Sequence, residues 1–210
     1  TDKPQSQWLK PGDQTSKLGI LQVKTNTTNF SILGIWNGIL QIILYGFDHI
    51  LFILGLFFFS HKLKPLLIQV TTFTIAHSIT LIFGGLGFIT ISPLIIEVII
   101  AASIIWIGFE NLFRKKMKVS RIGVIFTFGL IHGLGFASMF KLKELEGTDY
   151  YLNLLSFNIG IELGQLITLL PLIILIPLFN RLSWYRILIA MPASIIIALF
   201  GVEMFIDRIL

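Results

Sequence analysis

Residues 93–113 read PLIIEVIIAASIIWIGFENLF, a run in which Glu97 and Glu110 are the only charges. A helix needs about 20 mostly apolar residues to cross about 30 Å of hydrocarbon. In that medium the backbone must satisfy its own hydrogen bonds, which selects a helix. Outward from this segment lie five more apolar runs, at about 31–59, 65–88, 121–140, 150–179 and 184–206. The expected fold is therefore all-α: a polytopic transmembrane bundle of about six helices over residues 31–210, preceded by a polar tail over 1–30. The first and fifth runs exceed the length needed. A tilt or kink is expected there, at Gly46 in the first and at Pro171 and Pro177 in the fifth.

Composition agrees. The chain has 210 residues, 55% hydrophobic and 13% charged, with a mean hydropathy of +0.87. Soluble domains are nearer one quarter charged, so an ordinary soluble protein and a disordered one are both excluded. Cysteine is absent, which removes disulfides, thiolate metal sites and cysteine nucleophiles. Any metal must be held by His, carboxylate or amide oxygen. The net charge of +5 is not a nucleic-acid footprint, because the basic residues sit between apolar runs. No phosphate-binding glycine loop, nucleophile elbow, His-Glu-x-x-His motif or arginine-rich voltage-sensing helix occurs.

Basic residues fall in alternate loops: Lys62 and Lys64; Arg114, Lys115, Lys116, Lys118 and Arg121; Arg181 and Arg186. The positive-inside rule puts these loops in the cytoplasm and both termini outside, in a multi-pass protein of the plasma (inner) membrane. The N-terminal tail has no apolar h-region and the chain starts with Thr, so loss of an upstream segment is expected.

Ionisable groups inside apolar runs are costly, and so are functional candidates. Here they are Asp48, His49, His77, Glu97, Glu110, His132, Glu162 and Glu203, with Asn111, Asn158 and Gln165 beside them. His61 lies in a loop and reads as solvated. His49, His77 and His132 each fall about 10–12 residues from the basic end of their helix, at roughly 15–18 Å depth. Three imidazoles near one plane make a metal site for Ni, Co or Zn, with Asp48 and Glu162 as further ligands. Asp48 has a second reading, as acceptor of a ring N–H that fixes a tautomer. Asn158, Glu162 and Gln165 share one helix face and, with Ser78, line either a path or an interhelical seam. Glu110 and Asn111 lie near the basic end, where Arg114 stands four residues on from Glu110. Glu97 reads as facing interfacial water near a helix N-terminus, and Glu203 as a partner of Arg208. Gly129, Gly133, Gly135, Gly160 and Gly164 read as close-packing positions. Phe57, Phe58 and Phe59 read as lipid-facing bulk.

Five stretches together resemble the second HupE/UreJ family: Gly46-Phe47-Asp48-His49-Ile50-Leu51-Phe52, Phe73-Thr74-Ile75-Ala76-His77-Ser78, Glu97 through Glu110-Asn111-Leu112, Phe128-Gly129-Leu130-Ile131-His132-Gly133, and Phe157-Asn158-Ile159-Gly160-Ile161-Glu162. The resemblance implies an integral membrane nickel or cobalt permease, or an accessory protein for hydrogenase or urease maturation. It maps the family's polar positions onto Asp48, His49, His77, Ser78, Glu110, Asn111, His132, Asn158 and Glu162. Many relatives carry a His six residues before the Asp, where this chain has Ile42.

The same residues support two mechanisms. In one, the lipid-embedded chain transports a divalent transition metal through the His/carboxylate site, with metalloenzyme maturation partners and no nucleic acid. In the other, three His ligands hold a catalytic zinc for an intramembrane hydrolase of a lipid or peptide, with Glu162 or Asp48 as general base. A membrane metallochaperone is a third, simpler role.

Overall fold

The computed structural model describes residues 32–59, 62–114, 117–137, 148–179 and 184–210. The polar tail over 1–30, His61, the charged loop from Lys141 to Glu146, and Arg181 lie outside the described residues. Every regular element described is helical: α1 (Ile32–Leu40), α2 (Phe47–Phe59), α3 (Leu63–Gly85), α4 (Pro93–Phe113), α5 (Val119–Ala137), α6 (Thr148–Phe179) and α7 (Met191–Ile209). Wide π-type turns follow α1 at Gln41–Tyr45 and precede α7 at Arg186–Ala190.

The first apolar run is not one straight span. Ile32–Tyr45 and Phe47–Phe59 meet at Gly46 with a bend of 77°. A Cβ at Gly46 would come within 2.9 Å of the Ile42 Cα and carbonyl oxygen, so the bend has room only for glycine. The other five runs are long and apolar enough to cross a membrane singly; the bent pair counts as a sixth only if both halves make one span. Pro171 and Pro177, by contrast, lie inside a continuous α6.

Three helix pairs pack most extensively: α3 on α5, α4 on α7, and α1 on α6. Small residues set these approaches. At Gly133 an added Cβ would overlap the His77 carbonyl and Thr80 Oγ1, and at Gly129 it would lie 2.7 Å from the Phe73 carbonyl. Gly160 faces Ile35 and Gly38 of α1, Gly164 faces Ile39 and Ile42, and Gly135 faces Ile100. The expected close-packing positions are thus found at the helix crossings.

Polar side chains are buried within an apolar core, and large apolar side chains cover the outside. Gln69, Arg121 and His132 have no exposed surface, whereas Ile174 and Leu199 are 68% and 62% exposed. A protein stable in water does not expose so much apolar surface; here the outer apolar surface meets lipid. The chain is a multi-pass membrane protein.

At the end where α2, α4 and α6 finish, Arg121 is buried rather than looped. It donates to Glu110 Oε2, to Gln69 Oε1 at 2.8 Å and to Asn111 Oδ1 at 3.1 Å, and its guanidinium lies 3.7 Å over the Phe59 ring. Asn111 in turn donates to the Gly55 carbonyl at 2.7 Å and to Ser194 Oγ at 3.2 Å. One arginine therefore ties α2, α3, α4 and α5 together, and Asn111 adds α7. Arg114 supplies the expected i,i+4 pair to Glu110 at 3.0 Å. Arg186 donates to the carbonyls of Asn111, Leu112 and Arg114, closing the end of α4. The lipid-facing reading of the phenylalanine run is overturned: Phe57 and Phe59 are buried, one against Phe179 and the other beneath Arg121.

Candidate metal site

The bend at Gly46 starts α2 inside the bundle and puts Asp48 and His49 in its first turn. Broken helices of this kind free backbone groups and helix ends inside the membrane, where they line buried sites. The His49 ring meets two others. Its centroid is 5.2 Å from that of His77 on α3 and 4.7 Å from that of His132 on α5. The three histidines placed at similar depth from the sequence thus lie side by side, and each is at most 1% exposed.

Aromatic side chains wall the cluster. Phe136 stacks on His49 at 4.5 Å, Phe52 lies 4.9 Å from His132, and Phe73 lies 5.2 Å from His132 and 5.9 Å from His77. This cage excludes water and leaves few polar atoms to satisfy the rings.

Hydrogen bonding assigns the tautomers. Asp48 Oδ1 lies 2.9 Å from His49 Nδ1 and also accepts from the His49 backbone N–H at 2.8 Å. A carboxylate only accepts, so His49 Nδ1 carries the hydrogen and Nε2 keeps its lone pair. On the far ring, Ser103 Oγ donates to the Ile100 carbonyl at 2.6 Å and lies 2.9 Å from His132 Nε2. A serine hydroxyl has one hydrogen. With it committed to Ile100, His132 Nε2 must donate, and Nδ1 keeps the lone pair. Among the described residues, His49 Nε2, His132 Nδ1 and both nitrogens of His77 are buried without a hydrogen-bond partner. The lone-pair nitrogens of His49 and His132 are therefore both among the atoms left without partners.

A buried polar atom without a partner costs about 1–3 kcal/mol. Four lie on these three rings; since each neutral imidazole keeps one lone-pair nitrogen, the rings offer up to three nitrogen donors of the type that suits a transition-metal ion. The rings stand edge to face, at 90° and 80°. In this arrangement no three His or carboxylate side chains among the described residues are grouped to hold one ion. Ligation requires the rings to turn toward a common point.

The remaining residues singled out from sequence fall elsewhere. Asp48 serves His49 rather than the ring centre, and its Oδ2 lies 3.8 Å from Arg208. Arg208 also approaches Glu97 Oε2 at 3.9 Å and donates to the Glu97 carbonyl at 2.7 Å, so its partners are these and not Glu203, which is exposed. Glu110 and Asn111 belong to the Arg121 network. Glu162 accepts from Ser78 at 2.7 Å and from Asn158 at 3.3 Å, while Gln165 accepts from Thr74 at 3.1 Å; these form a second polar seam between α3 and α6. Sequence reasoning passed over Ser103, Gln69 and Ser194, whose types are unremarkable inside membrane helices, and it assigned Arg121 to a loop.

Residues 17–208 match the family described as HupE / UreJ protein, in its second form. No curated protein and no solved structure matches the chain significantly. The chain belongs to the HupE/UreJ family.

Proposed function

We propose that this member of the HupE/UreJ family carries a divalent transition metal, nickel or cobalt, across the plasma membrane by way of His49, His77 and His132. The observation that carries this reading is the set of unpartnered nitrogens on three touching, fully buried imidazoles. Neutral imidazole suits nickel, cobalt and zinc, whereas magnesium and calcium require oxygen. The metal is cargo. It must be bound well enough to enter and weakly enough to leave. A ligand set that has to rotate into place, with ring-ordering cost set against binding, fits such an ion. The orientation proposed has the Arg121 end in the cytoplasm and both termini outside, where maturation proteins for nickel enzymes would take up the metal on the cytoplasmic face.

The zinc-hydrolase reading needs a free carboxylate beside the rings to act as base. Asp48 is engaged with His49 and Arg208, and Glu162 with Ser78 and Asn158, so transport is favoured. The test is uptake of radioactive nickel or cobalt into proteoliposomes containing the full chain. The expected result is saturable uptake abolished by the His77→Ala/His132→Ala double substitution. Uptake no greater than in empty liposomes, or undiminished in the double variant, overturns the proposal.

A further inference from the structure

Three carboxylates are buried or half-buried among the described residues, and two have basic partners. Asp48 has His49 and Arg208; Glu110 has Arg114 and Arg121. Glu162, midway along α6, accepts among the described residues only from neutral groups, the Ser78 hydroxyl and the Asn158 amide, both on Oε1. A carboxylate inside a membrane helix bundle without a counter-charge is costly.

The neighbouring amide adds an independent sign. Asn158 is 4% exposed. Its Nδ2 faces Glu162, as it must toward an acceptor, and its Oδ1 is buried without a partner among the described residues. Two adjacent side chains therefore hold more acceptor oxygens than there are hydrogens to fill them.

We infer that Glu162, Asn158 and Ser78 form a second cation site, built of hard oxygen atoms and taking a proton or a sodium ion. Either ion supplies what is missing. A proton turns Glu162 into a donor, and the Asn158 amide then turns over so that Oδ1 accepts from it. A sodium ion would be shared by Glu162 and Asn158 Oδ1, with the Ser78 oxygen beside them. Neither needs a nitrogen ligand, which separates this site from the imidazoles. Ser78, which donates to Glu162, directly follows His77 on α3, so one peptide unit separates the proposed site from the histidine cluster. This is the arrangement required to couple metal release to a monovalent cation gradient. The inference stands on the α3–α6 seam and holds whether or not the rings carry a metal.

The experiment is infrared difference spectroscopy of the full chain in nanodiscs, following the carboxyl C=O band as pH or sodium concentration is stepped. A band that appears on acidification and is missing from Glu162→Gln identifies a proton site. A band removed by sodium at constant pH, and unmoved by potassium, identifies a sodium site. Asn158→Ala, a milder change should Glu162→Gln fail to fold, is expected to weaken the apparent affinity about tenfold, the effect of losing one polar contact. Cobalt binding at the imidazoles is expected to survive both substitutions. The inference is overturned if no pH or sodium step moves a band assignable to Glu162, or if Glu162→Gln abolishes cobalt binding, which would make Glu162 a ligand of the metal itself. A parent chain that binds no cobalt refutes the histidine reading alone, and the infrared result still decides this one.

Discussion

At the scale of single residues, the functional weight falls on two groups that touch no cargo. Asp48 and Ser103 each accept a ring hydrogen and so turn the opposite nitrogen into a lone pair aimed at the cluster. Groups that hold a metal-binding histidine from behind typically change affinity by 10–100-fold when removed. Ser103→Ala is accordingly expected to weaken nickel or cobalt binding about 10–100-fold, and Ser103→Thr to restore much of it. Isothermal titration of the purified variants checks this. Nitrogen NMR of histidine-labelled chain, with His132→Gln as the assignment control, is expected to show the Nε2–H form of His132 in the parent and a mixture in Ser103→Ala. The three histidines were legible in the sequence because each interrupts an apolar run at a similar depth. Ser103 was not, since serine is common in membrane helices and only its single hydrogen, committed to Ile100, gives it a role.

Among the elements, the decisive one is the broken pair α1–α2. Gly46 was legible as a bend because the first apolar run was too long for a straight span. What could not be read was its depth or its 77° angle, since both depend on how Gly38 and Gly160 let α1 lie against α6. The second decisive contact is α3 on α5, which brings His77 to His132. Gly133→Ala puts a methyl against the His77 carbonyl and Thr80 Oγ1. Overpacking of this kind costs about 1–3 kcal/mol. The expected outcome is a destabilised chain in an SDS titration, with metal affinity falling as α3 and α5 separate. At Gly123 an added Cβ meets nothing within 4 Å, so Gly123→Ala on the same helix is the matched control and is expected to leave both unchanged.

Over the whole molecule, a buried ion-pair network closes one end of the bundle and the histidine cluster occupies its interior. Arg121 read as loop charge because it follows four basic residues in the sequence; burial is decided by Glu110, Asn111 and Gln69, which arrive from other helices. Removing one partner of a buried ion pair costs about 3–5 kcal/mol, while replacing both by apolar groups is often neutral. Arg121→Met is therefore expected to destabilise the protein strongly, and Glu110→Leu/Arg121→Met less than Arg121→Met alone, as unfolding in mixed micelles measures. The central claim, that the three imidazoles take up an exchangeable transition metal, is tested most directly by cobalt binding to the purified full chain, followed by its visible absorption bands. The account predicts bands of nitrogen-coordinated cobalt, lost when excess nickel is added. They are absent from His77→Ala/His132→Ala. Cobalt bands that persist unchanged in the double variant, or a parent chain that binds no cobalt, would contradict it.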